Sequence, residues 1–255
     1  MARKNWSREE LIIAFNLYCK IPFGRMHNKN PDVIALAEIL GRTPSAVAWK
    51  LVNFARLDPT LGKRGIKGAS HGSKQEIEVW DEFHRDWENL SYASEVLLAE
   101  IHNKTIDELV TDDVSNIPQG EERERTVKVR VNQFFFRSSI LAAYSSKCCI
   151  TGLDIPELLN ASHIIPWSID VENRVNPQNG LCLNAIHDRA FDRGLLTVGT
   201  DYRVKVSPIL KSHKADTAIN DLILRYEGER ISLPSRFAPK LKFLEYHNNY
   251  IFRGE

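Results

Sequence analysis

The chain has 255 residues, with 34 Lys and Arg against 33 Asp and Glu for a net charge of +1, and 43% hydrophobic residues. That composition belongs to a folded globular protein and excludes a disordered polyelectrolyte or a chain-wide polycation. The longest apolar run, Leu11–Phe15, falls far short of the roughly 18 residues a membrane span needs, so no membrane partner is expected.

The N-terminal MARKNWSREE has a basic start but no apolar signal stretch. The four cysteines, Cys19, Cys148, Cys149 and Cys182, include an adjacent pair and no C-x-x-C, so no disulfide framework is indicated and a reducing cytoplasm is the expected location. Charge is unevenly spread along the chain. Residues 1–74 hold 13 basic and 5 acidic residues (+8), residues 75–125 hold 4 and 15 (−11), and residues 126–255 hold 17 and 13 (+4). A basic head beside an acidic middle is the asymmetry of nucleic-acid contact.

The head, residues 1–58, reads as three helices. Ser7 and Glu10 form a capping box, with Trp6 and Leu11 as a hydrophobic staple, and start a helix running to about Tyr18. Asn30-Pro31 starts a second helix that Gly41 closes, and Thr43-Pro44 starts a third with Val47, Leu51 and Phe54 on one apolar stripe. The pattern is that of a helix-turn-helix. Opposite the stripe lie Ser45, Trp49, Val52, Asn53 and Arg56, which with Arg42 make up the candidate DNA-binding residues. WSREE and GRTPSAVAWKLVNF resemble the first and third helices of Myb/SANT-like domains, which implies a DNA-binding head. The competing reading is a small bundle that packs on the rest of the protein and buries Trp49.

Residues 59–74 form a basic, glycine-rich linker that could touch phosphate. Residues 75–130 read as an acidic helical connector. Its stripe of Ile77, Trp80, Phe83 and Trp87 suits a neighbouring domain or a second copy of the chain, which makes a homodimer a candidate assembly.

The chemistry lies in residues 131–255. Asn132 to Tyr144 reads as a helix carrying Arg137, a candidate phosphate contact or a partner in a structural ion pair. NASHII reads as a short strand, Pro166 to Gly180 as a polar loop, LCLN as a second strand and AIHDRAFDR as a helix stopped by Gly194. LLTV and RVKVS then form a hairpin expected to extend the sheet. Strand, loop, strand and helix bring His163 and His187 together with Asn179 between them. Phosphodiester hydrolysis needs a base for water and a divalent cation at the phosphate. His163 suits the base, His187 a metal ligand, and Asn179 the group that fixes the imidazole. His27, His71, His84, His102, His213 and His247 lack partners at ligand spacing.

FFFRSSILAAYSSKCCITG, NASHIIPW and NGLCLNAIHDRAFDRGLL closely resemble, in this order, the HNH endonucleases, a ββα-metal nuclease family, and in particular their restriction-endonuclease-like branch. The resemblance implies a C-terminal ββα-metal nuclease domain, which with the three-helix head and helical connector makes an α+β protein. It implies His163 as general base, Asn179 as the structural residue and His187 as metal ligand. It further implies Mg²⁺, or another divalent ion such as Mn²⁺, and DNA cut to 5′-phosphate and 3′-hydroxyl ends, in the service of restriction. Two departures matter. Many members place Asp or His directly before the base as a second metal ligand, where this chain has Ser162, a weak neutral ligand at best; the missing ligand is then water, phosphate or another side chain, with Asp192 and Asp188 on the helix as candidates. Many also hold a structural zinc on two C-x-x-C pairs; the Cys148-Cys149 arrangement makes that zinc unexpected, and Cys148, Cys149 and Cys182 read as small buried hydrophobes. The competing class is a non-catalytic DNA-binding regulator whose site no longer holds metal.

Overall fold

The computed structural model describes residues 5–63, 72–109 and 121–254. The chain is α+β and divides into two compact units, Met1–Ser139 and Ile140–Glu255. Among the described residues, no helix is long and apolar enough to cross a membrane.

The first unit is helical. α1 (Arg8–Lys20) begins at the expected capping box, with Glu10 N donating to Ser7 Oγ at 3.2 Å and Ser7 N to Glu10 Oε2 at 2.8 Å. α2 (Pro31–Ile39) is capped by Asn30, and Gly41, at φ +59°, turns the chain so that Arg42 N reaches Ala37 O at 2.8 Å. α3 (Pro44–Leu57) is capped by Thr43 and buries Val47, Leu51 and Phe54 completely. α4 (Pro59–Lys63) follows; the expected linker continues through residues 64–71, which lie outside the described residues.

The expected boundary between head and connector is absent. α5 (Lys74–Phe83) and α6 (Trp87–Ile101) pack on α1, and α5 also packs on α3. The cause is α1 itself, which is apolar on more than one side: Leu11, Ile12, Ile13, Ala14 and Phe15 are all buried. Such a helix needs cover on several faces, and α2 with α3 supplies only part of it. The ring of Phe15 sits 4.9 Å from Phe54, 5.0 Å from Trp80 and 6.1 Å from Trp87. The aromatic stripe expected to meet another domain or copy is therefore largely consumed inside this unit. α7 (Ile106–Leu109) and α8 (Glu121–Ala143) complete it, with Ile106 against Val127 and Val131. The division between units falls near the end of α8, at residue 139, and not at residue 131 as expected.

In the second unit β1 (Leu159–His163) pairs antiparallel with β2 (Gly180–Asn184), His163 opposite Gly180 and Ser162 opposite Leu181. α9 (Ala185–Asp192) follows directly and packs on both strands. Gly194, at φ +66°, ends it and lies so close to Ile251 O that a side chain there would collide with the backbone. β3 (Leu196–Val198) and β4 (Val204–Val206) form the expected hairpin, but as a separate two-stranded sheet that does not extend β1–β2. α10 (Pro208–Lys211), α11 (Thr217–Leu222) and α12 (Leu241–Tyr250) close the unit.

Candidate active site

His163 ends β1 and is half-buried, with its Nε2 2.8 Å from the carbonyl oxygen of Arg174. A carbonyl only accepts, so Nε2 carries the proton, and in the neutral ring the basic lone pair belongs to Nδ1. Burial lowers the His163 pKa below that of a free imidazole, and the bond to Arg174 O opposes the shift. The ring stands edge-on to Trp167 at 5.6 Å, and the Arg174 guanidinium lies over Trp167 at 5.3 Å.

Asn179 is fully buried and works as a staple. Its Oδ1 accepts from Ile165 N at 2.9 Å, while Nδ2 donates to Ile165 O at 3.1 Å and to Asn173 O at 3.2 Å. It thereby ties the segment after β1 to the loop that presents Arg174 O. The loop carries its own ladder at every third residue. Asn173 donates through Nδ2 to Asp170 Oδ2 at 2.9 Å, and Asn176 Nδ2 donates to Asn173 Oδ1 at 3.0 Å. Asn176 also caps the turn at Pro177–Asn179. Asp170, Asn173 and Asn176 went unread in the sequence; their spacing of three, in step with Asn179, was the available signal.

Residues 148–199 match the HNH endonuclease family. The match spans β1, the loop, β2 and α9, and so contains every residue of the geometry above. No curated protein matches the chain.

Within the matched segment, His187 and Asp188 on α9 face different surroundings. His187 is 1% exposed and turned away from β1: its Nε2 donates to Leu222 O at 2.7 Å, its Nδ1 lies 3.2 Å from Asn184 Nδ2, and its ring stands edge-on to Tyr226. Both ring nitrogens are engaged by protein, so the structure does not bring His187 to His163 as a ligand. Cys148 adjoins it; burial raises that thiol's pKa, but hydrogen bonds with His187 and Thr151 and with the backbone at Thr151 and Ile150 bring it to about 7. Cys148, Cys149 and Cys182 are free and buried.

Asp188, and not His187, is bonded to side chains of β1. Successive helix residues point about 100° apart, and this rotation carries Asp188 onto β1. There its Oδ2 accepts from Asn160 Nδ2 at 2.6 Å and its Oδ1 from Ser162 Oγ. Asp192 makes no such bond among the described residues; burial raises its pKa first and the charge of Asp188 second, against Arg189 and Arg193. Among the described residues no three His, Cys, Asp or Glu side chains gather to hold a metal. The Asp188 carboxylate nevertheless offers hard oxygen donors, the chemistry of Mg²⁺, which keeps several waters and binds through one or two carboxylates plus substrate phosphate. The residues fit such an ion.

The expected DNA-contact residues fare unequally. Arg42 is withdrawn: it donates to Glu10 Oε2 at 2.6 Å and to Asn5 O at 2.7 Å, and lies 4.2 Å from the Trp6 ring. Asn53 is bound to Glu76 Oε1 at 3.0 Å, and Arg56 is half-buried against Gly72. Ser45 and Trp49 remain on the surface, Trp49 with 63% exposure, and Asn28 Nδ2 donates to Ser45 Oγ at 3.2 Å. Arg137 is exposed on α8.

Proposed function

We propose that the chain is a divalent-metal-dependent endonuclease that hydrolyses phosphodiester bonds in DNA, with a restriction or defence role. The observation that carries this reading is the pairing of consecutive residues at the end of β1: His163 is locked to Arg174 O through Nε2, and Ser162 is bonded to Asp188. In this mechanism His163 Nδ1 takes the proton of a water whose oxygen attacks phosphorus. The bond to the 3′-oxygen breaks, leaving a 5′-phosphate and, once protonated, a 3′-hydroxyl. Asn179 keeps the loop and its carbonyl in place so that the imidazole does not rotate. A divalent ion held at Asp188 would neutralise charge at the scissile phosphate and the leaving oxygen. His187 supports the fold and is not a ligand in this reading. DNA contact by the first unit belongs to the α3 N-terminus and the loop before α2, where Arg25 and Lys29 are exposed. A double-strand break requires two chains or two encounters.

Plasmid nicking with Mg²⁺ or Mn²⁺ tests the proposal. His163→Ala should lose about 10²–10⁴-fold in rate, and Asp188→Asn should lose at least as much as His187→Gln. Binding without cleavage by the wild type, on both modified and unmodified DNA, would instead establish a non-catalytic DNA-binding protein. Because the base must be neutral and its pKa is lowered, kcat/KM should fall only as pH drops below the ordinary imidazole value of about 6.5. A limb at or above that value would remove His163 from the role.

A further inference from the structure

Asp188 is half-buried, and among the described residues its carboxylate is held by hydrogen bonds from β1 alone. Both of its oxygens accept a hydrogen bond, and both donors, Asn160 Nδ2 and Ser162 Oγ, are neutral. The donors lie two residues apart on β1, so strand alternation puts them on one face, the face that α9 packs on. One donor on each oxygen fixes the plane of the carboxylate. A carboxylate has about four lone-pair sites, so a site on each oxygen is left. No Lys or Arg forms an ion pair with Asp188 among the described residues, so the charge is oriented without being cancelled. Orientation of a retained charge is what a metal ligand needs.

We infer that Asn160 and Ser162 are positioning residues that aim Asp188 at a divalent cation, with Ser162 acting through Asp188 and not as a ligand itself. The inference rests on the proposal that Asp188 binds the cation. It accounts for the serine standing directly before His163: a hydroxyl there donates to the carboxylate on α9, which a second carboxylate could not do while ionised.

The test is Mn²⁺ binding to the full chain, followed by the loss of the free-ion EPR signal, with thermal unfolding recorded for each variant. Asp188→Asn should abolish binding. Asn160→Ala and Ser162→Ala should each weaken it about 10- to 100-fold, whereas Ser162→Thr, which keeps the hydroxyl, should bind within about threefold of wild type. Wild-type affinity in folded Asn160→Ala and Ser162→Ala, with binding lost in Asp188→Asn, would overturn the inference and leave the Asp188 reading standing. Unchanged binding in Asp188→Asn, or none by the wild type, would overturn both. If an alanine variant fails to fold, Ser162→Thr decides: a folded threonine variant that loses Mn²⁺ overturns the inference, and one that retains it supports the hydroxyl's role.

Discussion

In the first unit Glu76 is buried against Lys50, and Glu10 accepts from Arg42; in the second, Asp188 rests on an amide and a hydroxyl. The difference separates two uses of a carboxylate. Glu76 also accepts from Asn53 and caps α5 through Ser73 N, so its charge and lone pairs are spent on joining α5 to α3. Asp188 is positioned but keeps its charge. The same contrast holds among the cations of the head. Arg8 and Lys20 meet Glu82 and Glu95, and Arg42 and Lys50 meet Glu10 and Glu76. Lys29 and Arg25, in the loop that contacts α3 through Asn28, have no carboxylate partner among the described residues. Three carboxylates of the acidic stretch, Glu76, Glu82 and Glu95, thus pair with cations of the head, while Arg25 and Lys29 have none beside them among the described residues.

The largest expected effect follows from removing one partner of each kind. Glu76→Ala strands Lys50 in a buried site and should cost about 3–5 kcal/mol in stability, seen as a lower midpoint in urea. Asp188→Asn strands no cation and should unfold near the wild-type midpoint while cleavage is lost. Equal destabilisation by the two would end the comparison. A smaller effect separates the units by pH. Burial pushes His247 down to about 4, against its bond to Phe191 O. The unfolded chain therefore binds the proton first as pH falls. Stability of the second unit is fully present above about 6.5 and declines toward pH 4 by roughly 3 kcal/mol. His247→Leu should flatten that slope; an unchanged slope would assign it to other groups.

Local signals were legible in the sequence, and long-range orientation was not. The Ser7–Glu10 box and the Thr43-Pro44 start are encoded within four residues, and both appear as expected. Ser73 and Glu76 form an equally clear box at the start of α5, hidden because the glycines before it read as a linker. The positions of His163 at a strand end and Asn179 in the loop anchor are legible from spacing, since both are fixed by local pattern. Which of His187 and Asp188 bonds to β1 is not, because neighbours on a helix differ only in direction and the packing of α9 on β1 sets which one faces the strand. The merging of head and connector was unreadable for a similar reason. α1's apolar residues say that several faces need cover, but not which helices supply it.

The smallest expected effects concern the exposed edge of the head, where paired and unpaired cations can be told apart. Arg42→Ala removes a guanidinium already bound to Glu10, so it should lower thermal stability while the dependence of DNA affinity on salt stays as it is. Lys29→Ala and Arg25→Ala remove charges with no carboxylate to release, and each should reduce the slope of log affinity against log salt by about 1 while leaving unfolding unchanged. Trp49→Ala should weaken binding by about 1–3 kcal/mol if a base stacks on the ring, with no change in slope, because an indole releases no counterion. A steeper loss for Arg42→Ala than for Lys29→Ala would place the DNA on the α5-facing side of the head, and the division between spent and available charge would then have to be drawn elsewhere.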